Sequence, residues 1–293
     1  MPATPYVSAA AFRAHPTYLD TDGLRPGDPD PDAQTAALVT LLTEASSWAD
    51  GICDQPLGAH IRTQRRRAVV DRAGNLKFHA DHTPVISVIS VGYGLTPVAL
   101  TTLDGAGAWV EDDANIIMPI GGMNTAWSGS LQFGLPLSGD VFVQSVTAAG
   151  FVATVLAADS AAGSSTLTVL DPTGIIPGGE YRIWQPGAEE TVTVSPTWVP
   201  PAATAPPVPT PVDLAAPTAF AHEAAHDFSG MPAEMRNAIV QYVTATLMRP
   251  DSTAEDEFPN TGLGSDTRRN DPRNGSGLIA AAARTLASYG RVR

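Results

Sequence analysis

The stretch DPDAQTAALVTLLTEASSWADGI, residues 30–52, is the clearest helix signal in the sequence, and the predicted fold is organised around it. Asp30 is a natural N-cap because its carboxylate can accept amide hydrogens of the first turn, and Pro31 suits the first helical position. Apolar side chains then recur at three- and four-residue spacing, at Leu38, Leu41, Leu42, Ala45, Trp48, Ala49 and Ile52. This spacing predicts one broad apolar face, which needs a partner to cover it.

The predicted partner is a second amphipathic helix that begins at Pro232, near the other end of the chain. Its apolar face contains Met235, Ile239, Tyr242 and Val243, and Pro250 is expected to end it because proline lacks the backbone donor that a helix needs. The two helices are therefore expected to form a base, and the chain between them a β-rich excursion from that base.

The rest of the chain is dominated by turns and alternating patterns. A short helix is expected at residues 6–15, with Ser8 as its cap and Phe12 facing inward. Strands are predicted to begin at residue 61 and to cover 75–78, 85–91, 140–147, 166–170, 180–184 and 190–194, with further candidates in 100–117 and 129–133. Residues 196–217, rich in Pro, Ala and Thr, are expected to form an extended loop outside any core. Residues 251–277 are expected to be extended or flexible, and 278–289 a final short helix.

These elements predict an α+β protein. A small helical bundle forms its base, in which the long N-terminal helix packs on the C-terminal helix, with an inserted all-β module and an extended C-terminal tail. The predicted domains are residues 1–60 with 228–250 as the base, 61–147 as its β-rich part, 148–227 as the inserted module with its Pro-rich loop, and 251–293 as the tail with a terminal docking helix.

The composition is strongly acidic, with a net charge of −13 over 293 residues and Lys77 as the only lysine. Such a surface disfavours general nucleic-acid binding, although the protein could surround DNA without adhering to it. Charge is uneven: from Asp266 onward six arginines and two aspartates give +4, so the remainder carries −17. A basic tail on an acidic body indicates a docking segment. The single cysteine, Cys53, is expected to be a buried thiol, and we expect neither a secretory signal nor a membrane span.

One motif could indicate catalysis. His222, Glu223 and His226 fit H-E-x-x-H, which on a helix places two histidines on one face for zinc and a glutamate as general base. The segment lies between two prolines that leave room for a short helix only, and no later histidine stands at metzincin spacing. A zinc metallopeptidase therefore remains an alternative to a non-enzymatic protein.

Three further patterns have competing interpretations. The arginine run RTQRRR, residues 62–67, could contact phosphate, but no aromatic residue interrupts it, so a polar edge strand paired to acidic neighbours is favoured. His79 and His82 are interpreted as turn residues rather than metal ligands. Trp184 and Trp198 could stack on sugars if exposed, which leaves a tail or baseplate carbohydrate-binding protein as a second alternative.

The order of these elements resembles the head-tail adaptor (connector) proteins of long-tailed bacteriophages, especially the actinobacteriophage type with a β-rich insertion. SSWADGICDQPL ends the long helix, HTPVISVISV supplies a strand, and MPAEMRNAIVQYVTATLMR is the closing helix. In that family a P-V-I-S-V strand follows the long helix, here from Pro84 to Val88, and the closing helix begins P-x-x-x-x-x-A, here Pro232 and Ala238. The module from residue 149 to 194 is similar to the family's β-insertion.

This resemblance implies a structural protein of the virion neck, made in the host cytoplasm, without catalytic activity, cofactor or membrane. A ring of twelve copies would dock on the portal protein, extend the DNA channel to the tail without sequence-specific DNA binding, and contact the next neck or tail-completion protein. The expected portal-docking residues are Leu278, Ile279, Arg284, Leu286 and Tyr289. The expected ring core and interface helices contribute Leu38, Leu41, Leu42, Trp48, Met235, Ile239, Tyr242 and Val243.

Overall fold

The computed structural model describes residues 4–17, 19–71, 73–120, 140–201, 207–256 and 276–290. The chain divides into two compact units. The split unit consists of Met1–Gly58 and Val152–Arg293, and the sheet unit is the continuous segment Ala59–Phe151. The β candidate at 129–133 and most of the basic tail lie outside the described residues.

In the split unit, the described helices are α1 Ala9–Ala14, α2 Pro31–Cys53, α3 Ala233–Asp256 and α4 Ser276–Ala287. The predicted caps are confirmed, since Ser8 accepts the Ala11 amide at 3.1 Å and Asp30 accepts the Asp32 amide at 3.1 Å. The prediction that Pro250 ends α3 is wrong, because the helix continues to Asp256. A proline removes one backbone hydrogen bond, which weakens a helix without forbidding its continuation.

The predicted apolar face of α2 is confirmed except at its C-terminal end. Leu38, Leu42, Ala45 and Ala49 are fully buried, and Cys53 continues this row. Ile52 was expected in the face but is 39% exposed. Because each helical residue is rotated by about 100° from the next, burying Cys53 turns the neighbouring Ile52 toward solvent.

Within its described residues, the split unit also contains six short strands. They are β8 Ala153–Val155, β9 Thr166–Val169, β10 Glu180–Trp184, β11 Glu190–Thr193, β12 Thr210–Asp213 and β13 Asp227–Ser229. Four of them form a sheet in the order β11-β10-β13-β8, and β9 pairs with β12; all these pairs are antiparallel.

The proline-rich segment contributes to the core of this module, contrary to the prediction. Its residues 210–213 form β12, Val212 is fully buried, and Trp198 is only 6% exposed. Pro211 is tolerated because β12 is paired on one side only, and a proline on an edge strand can direct its missing donor away from the ladder.

The sheet unit is one seven-stranded antiparallel sheet. Its strands are β1 His60–Val70, β2 Asn75–His79, β3 Val85–Thr96, β4 Ala99–Asp104, β5 Trp109–Glu111, β6 Asn115–Pro119 and β7 Asp140–Ala149. Their order is β4-β3-β7-β1-β2-β6-β5, so β1 lies at the centre between β7 and β2.

The sheet curls and encloses its own core. β5 and the 3-10 turn Gly105–Gly107 contact β3, although β3 and β5 are far apart in the strand order. A Cβ atom on Gly105 would clash with the carbonyl of Val88, so this close approach requires glycine. The enclosed side chains include Val70, Leu76, Phe78, Val91, Tyr93, Ile116, Met118, Val141 and Val143.

The chain is therefore a mixed α and β protein with a large antiparallel sheet, and the sheet rather than a helical bundle dominates. The predicted layout treated the β strands as an excursion from helices. Instead, the alternation of buried and exposed residues along strands β1 to β7 gives the sheet a continuous apolar face that closes on itself.

Candidate interaction surfaces

The helices α2, α3 and α4 pack on one another and form the helical base of the split unit. Trp48 of α2 stacks on Tyr242 of α3, with ring centroids 4.4 Å apart and an interplanar angle of 24°. Of the residues expected in the ring helices, five are essentially inaccessible: Leu38, Leu42, Met235, Ile239 and Val243. Only Leu41, Trp48 and Tyr242 are partly exposed, so only these three can also contact another chain.

A buried ion pair joins this base to the β module. Asp227 of β13 pairs with Arg236 of α3, and both side chains are almost fully buried. Asp227 also accepts the Ser8 amide at 3.0 Å, and Arg236 donates to the carbonyl of Tyr6 at 3.0 Å. The pair thus fastens the segment before α1, β13 and α3 together. The sequence feature that could have indicated this ion pair is Arg236 itself, a lone arginine on the apolar side of α3.

The predicted docking helix, α4, is held on its own chain. Leu286 is fully buried, and its carbonyl accepts a hydrogen bond from the Cys53 thiol at 3.3 Å. The Tyr289 hydroxyl donates to the carboxylate of Glu234, and this hydrogen bond is the main reason that the pKa of Tyr289 rises to about 12.

The remaining expected docking residues differ in exposure. Leu278 and Ile279 are half-buried, whereas Arg284 is exposed. Two sides of α4 therefore differ in role: Leu286 packs on the base, and Arg284 faces solvent.

The H-E-x-x-H segment is not helical, which removes the geometry that the zinc interpretation needs. His222 forms a β-bridge with Ser160, Ala225 adopts a left-handed backbone conformation with φ of 65°, and His226 directly precedes β13. The zinc motif needs its two histidines one helical turn apart on one face, and the β-bridge and the left-handed Ala225 do not give that arrangement. The described residues contain no group of three or more His, Cys, Asp or Glu side chains arranged to hold a metal ion.

The contacts of His222 indicate that this residue has a structural role. Its side chain is completely buried, with Nε2 2.5 Å from Glu190 Oε1 and Nδ1 3.2 Å from Gln185 Oε1. Both nitrogens thus face oxygen acceptors, so neither presents a free lone pair to a metal. Burial tends to raise the pKa of Glu190, but hydrogen bonds from the Ala219 amide, His222 and the Phe220 amide outweigh burial and hold it below its usual value.

The two tryptophans proposed for sugar stacking are already occupied. Trp198 is buried, and its indole N–H donates to the carbonyl of Pro211 at 3.0 Å. The guanidinium groups of Arg182 and Arg236 lie over the Trp184 ring, 4.4 and 4.8 Å from its centroid. A sugar would have to displace these contacts.

The arginine run lies on the central strand β1, so its interpretation as an edge strand is wrong. Arg66 faces inward and pairs with Asp81 at 2.6 Å. Arg65 and Arg67 are exposed on the opposite face, where Arg65 Nε donates to Gln144 at 2.8 Å and the Arg67 guanidinium lies 4.8 Å from the Phe142 ring centroid. Sequence reasoning missed this aromatic residue because it comes from β7, paired opposite Arg67.

The predicted turn histidines contact oxygen and nitrogen atoms of the sheet unit. His79 Nδ1 lies 2.6 Å from the Ala80 carbonyl, and His82 Nδ1 lies 2.7 Å from His60 Nε2.

Within the described ranges, none of the helices combines the length and apolar composition needed to cross a membrane.

No protein-family model matches the chain, and no curated protein matches it. Among solved structures, it is similar to a chain described as "Neck of empty GTA particle computed with C6 symmetry", with 17% sequence identity and a TM-score of 0.34. The match covers 98% of this chain and 94% of that chain. At this TM-score, the similarity does not establish a shared fold.

Proposed function

We propose that the protein is a structural component of the bacteriophage virion neck, an adaptor that assembles as a ring, docks on the portal and extends the DNA channel toward the tail. The observation that carries this proposal is the helical base. Its helices α2, α3 and α4 come from opposite ends of the sequence, yet they pack together in the element order that the family resemblance implies.

The ring interface is proposed to use the partly exposed edge of this base. Leu41, Trp48 and Tyr242 combine apolar area with incomplete burial, and aromatic residues are enriched in subunit interfaces. A ring needs head-to-tail contacts that close on themselves, and the proposed copy number is twelve.

Portal docking is proposed to use the outer side of α4. Leu278 and Ile279 offer apolar area, and Arg284 offers an exposed positive charge that an acidic groove on the portal can accept. Leu286 and Tyr289 hold the helix on the base, so they support docking by positioning α4 rather than by touching the portal.

The charge of the chain suits a channel for DNA. Each subunit carries −13, and a ring multiplies this charge around the passing duplex. Negative walls repel the phosphate backbone and keep DNA from adhering during packaging and ejection. The proposal includes no catalytic residue, cofactor or metal.

The test combines the purified chain with the portal protein encoded by the same phage genome, followed by electron microscopy. We expect rings that add a layer to the portal. The Arg284→Glu variant should still form rings but lose portal attachment, whereas Arg62→Glu, which reverses an exposed arginine on strand β1 of the sheet unit, should attach normally. A wild-type protein that forms no ring and joins no portal-bearing particle would overturn the proposal.

A further inference from the structure

The outer face of the sheet unit carries two exposed arginines. Arg65 and Arg67 stand two residues apart on β1, so they point to the same side of the sheet. In the part of the chain that the structure describes, neither forms an ion pair, whereas the inward-facing Arg66 pairs with Asp81. Arg65 donates a hydrogen bond to the side-chain amide of Gln144, which is neutral, so its positive charge is not balanced by a carboxylate.

These arginines border a cleft of about 270 Å³, and its other lining residues are Arg66 and a set of apolar residues. Pro97, Leu100 and Phe142 contribute to its lining, and Phe142 holds the Arg67 guanidinium by a cation–π contact. The cleft is large enough for one or two side chains, not for a nucleic-acid duplex. The hairpin that supplies Pro97 also exposes apolar residues: Leu95 is 54% and Val98 91% exposed.

Arginine and aromatic side chains beside exposed apolar surface are typical of a protein–protein interface. A DNA-backbone site would be rimmed by further basic or polar residues, and a protein with a net charge of −13 repels polyanions. The features of the cleft therefore favour a protein partner that presents carboxylates.

The chain itself contains such a surface. Residues 20–32 include five aspartates and one arginine. Asp22 and Asp32 are exposed, and in the described residues their carboxylates take part in no hydrogen bond or ion pair. The carboxylates of Asp20, Asp28 and Asp30, in contrast, accept backbone amides and shape the segment.

We propose that the Arg65–Arg67 cleft binds the aspartate-rich segment 20–32 of a second copy of this chain. The two surfaces have opposite charge, and within the described residues neither the two exposed arginines nor the segment 20–32 forms an ion pair, so each subunit offers one of each. Repeating this contact gives a head-to-tail assembly. The inference rests on the proposed ring, because it identifies one of the contacts that join its subunits.

The experiment measures assembly of the full-length chain by analytical ultracentrifugation over a range of protein and salt concentrations. The double variant Arg65→Glu/Arg67→Glu should need a protein concentration about tenfold higher or more for assembly, because like charges then meet at the interface. Arg62→Glu reverses the charge of one exposed arginine on the same strand outside the cleft and should assemble like wild type. Adding Asp22→Arg and Asp32→Arg to the double variant should restore assembly.

Each result is decisive for one claim. If wild type assembles and the double variant assembles equally well, the inferred contact is wrong while the ring survives. If wild type never assembles, the proposed function fails first. A 30-base-pair DNA duplex is added in parallel at low salt; if wild type binds it and the double variant loses only that binding, the cleft is a phosphate site and the inference is overturned.

Discussion

Arg236 and Asp227 form a buried ion pair that also binds the backbone of residues 6 and 8, so one charged contact holds three separate parts of the split unit. Two charges removed from water need strong mutual compensation, and here the amide of Ser8 and the carbonyl of Tyr6 provide it. The pair therefore connects the segment before α1, strand β13 and helix α3.

Removing one partner should destabilise the protein strongly. We expect Arg236→Met to lower the free energy of unfolding by about 3–5 kcal/mol, because the carboxylate of Asp227 stays buried without its counterion. Arg182→Met is the matched control: Arg182 also lies over Trp184, but its ion pair with Glu189 is exposed, so the cost should be about 1 kcal/mol or less. Urea unfolding followed by circular dichroism measures both. Equal losses for the two variants would contradict the assignment.

Closure of the curled sheet should depend on one glycine. Gly105→Ala is expected to cost about 1–3 kcal/mol or more, because its methyl group meets the Val88 carbonyl and the 3-10 turn must move away from β3. Gly107 lies in the same turn, and a methyl group there comes no closer than 3.8 Å to Met118, so Gly107→Ala should be nearly neutral. Thermal unfolding of the two variants checks the difference, and a reversed order would show that the turn does not pack as described.

Acid should weaken the β module through Glu190. Its folded-state pKa is below the ordinary 4.5, so its contribution is present above that pH and is lost as pH falls through the folded-state value. Glu190→Gln should cost about 1–3 kcal/mol at pH 7, and its stability should decline less between pH 5 and 3 than that of wild type. The neighbouring Glu189, which is 42% exposed, provides the control variant Glu189→Gln. Unfolding in urea at several pH values tests this, and identical pH profiles for both variants would count against it.

The Cys53 thiol should be unreactive in the folded protein. Burial, together with the charge of Asp50, raises its pKa from 9.0 to about 11, so its thiolate at pH 8 is about a hundredfold rarer than for a free cysteine. Any stability linked to this group is present below pH 9 and is lost as pH rises toward 11. Iodoacetamide labelling followed by mass spectrometry should be slow in buffer and complete in urea.

Because the Cys53 thiol contacts α4, a substitution in α4 should change the reactivity of the thiol. Leu286→Ala opens a buried site above the thiol and should cost about 2–5 kcal/mol, with faster labelling of Cys53. Arg284→Glu changes an exposed side chain of the same helix and should leave labelling unchanged. Fast labelling of wild type in buffer would refute the burial of this cysteine.

The helices could be predicted from local sequence signals, whereas contacts between residues distant in sequence could not. Asp30 and Pro31 mark the start of α2 through interactions within one turn, so their meaning is readable in isolation. The zinc alternative for His222 to His226 needed a helix, and the sequence alone could not exclude one because Ser160, Gln185 and Glu190, which fix that segment in an extended bridge and a turn, are distant in sequence. The arginine run was misjudged for the same reason, since only the strand order places β1 at the centre of its sheet.

The end of the chain shows the limit most clearly. Periodicity indicated a short terminal helix, and a helix is present, but no pattern shows that Leu286 is buried against the base while Arg284 is not. That distinction depends on Cys53 and Gln55, more than two hundred residues earlier. Deleting the chain from Gly277 onward would therefore remove part of the core, so substitution of Arg284 is the cleaner test of docking.

The division of the split unit into two stretches of sequence constrains the order of events on the ribosome. The Ser8 amide can form its hydrogen bond only after Asp227 has been synthesised, 219 residues later. The sheet unit, in contrast, is one uninterrupted stretch of sequence. As the nascent chain emerges, the sheet can close while the apolar face of α2 remains uncovered. The long wait makes that helix the natural client of a chaperone during synthesis, and it makes the last quarter of translation the step that completes the subunit.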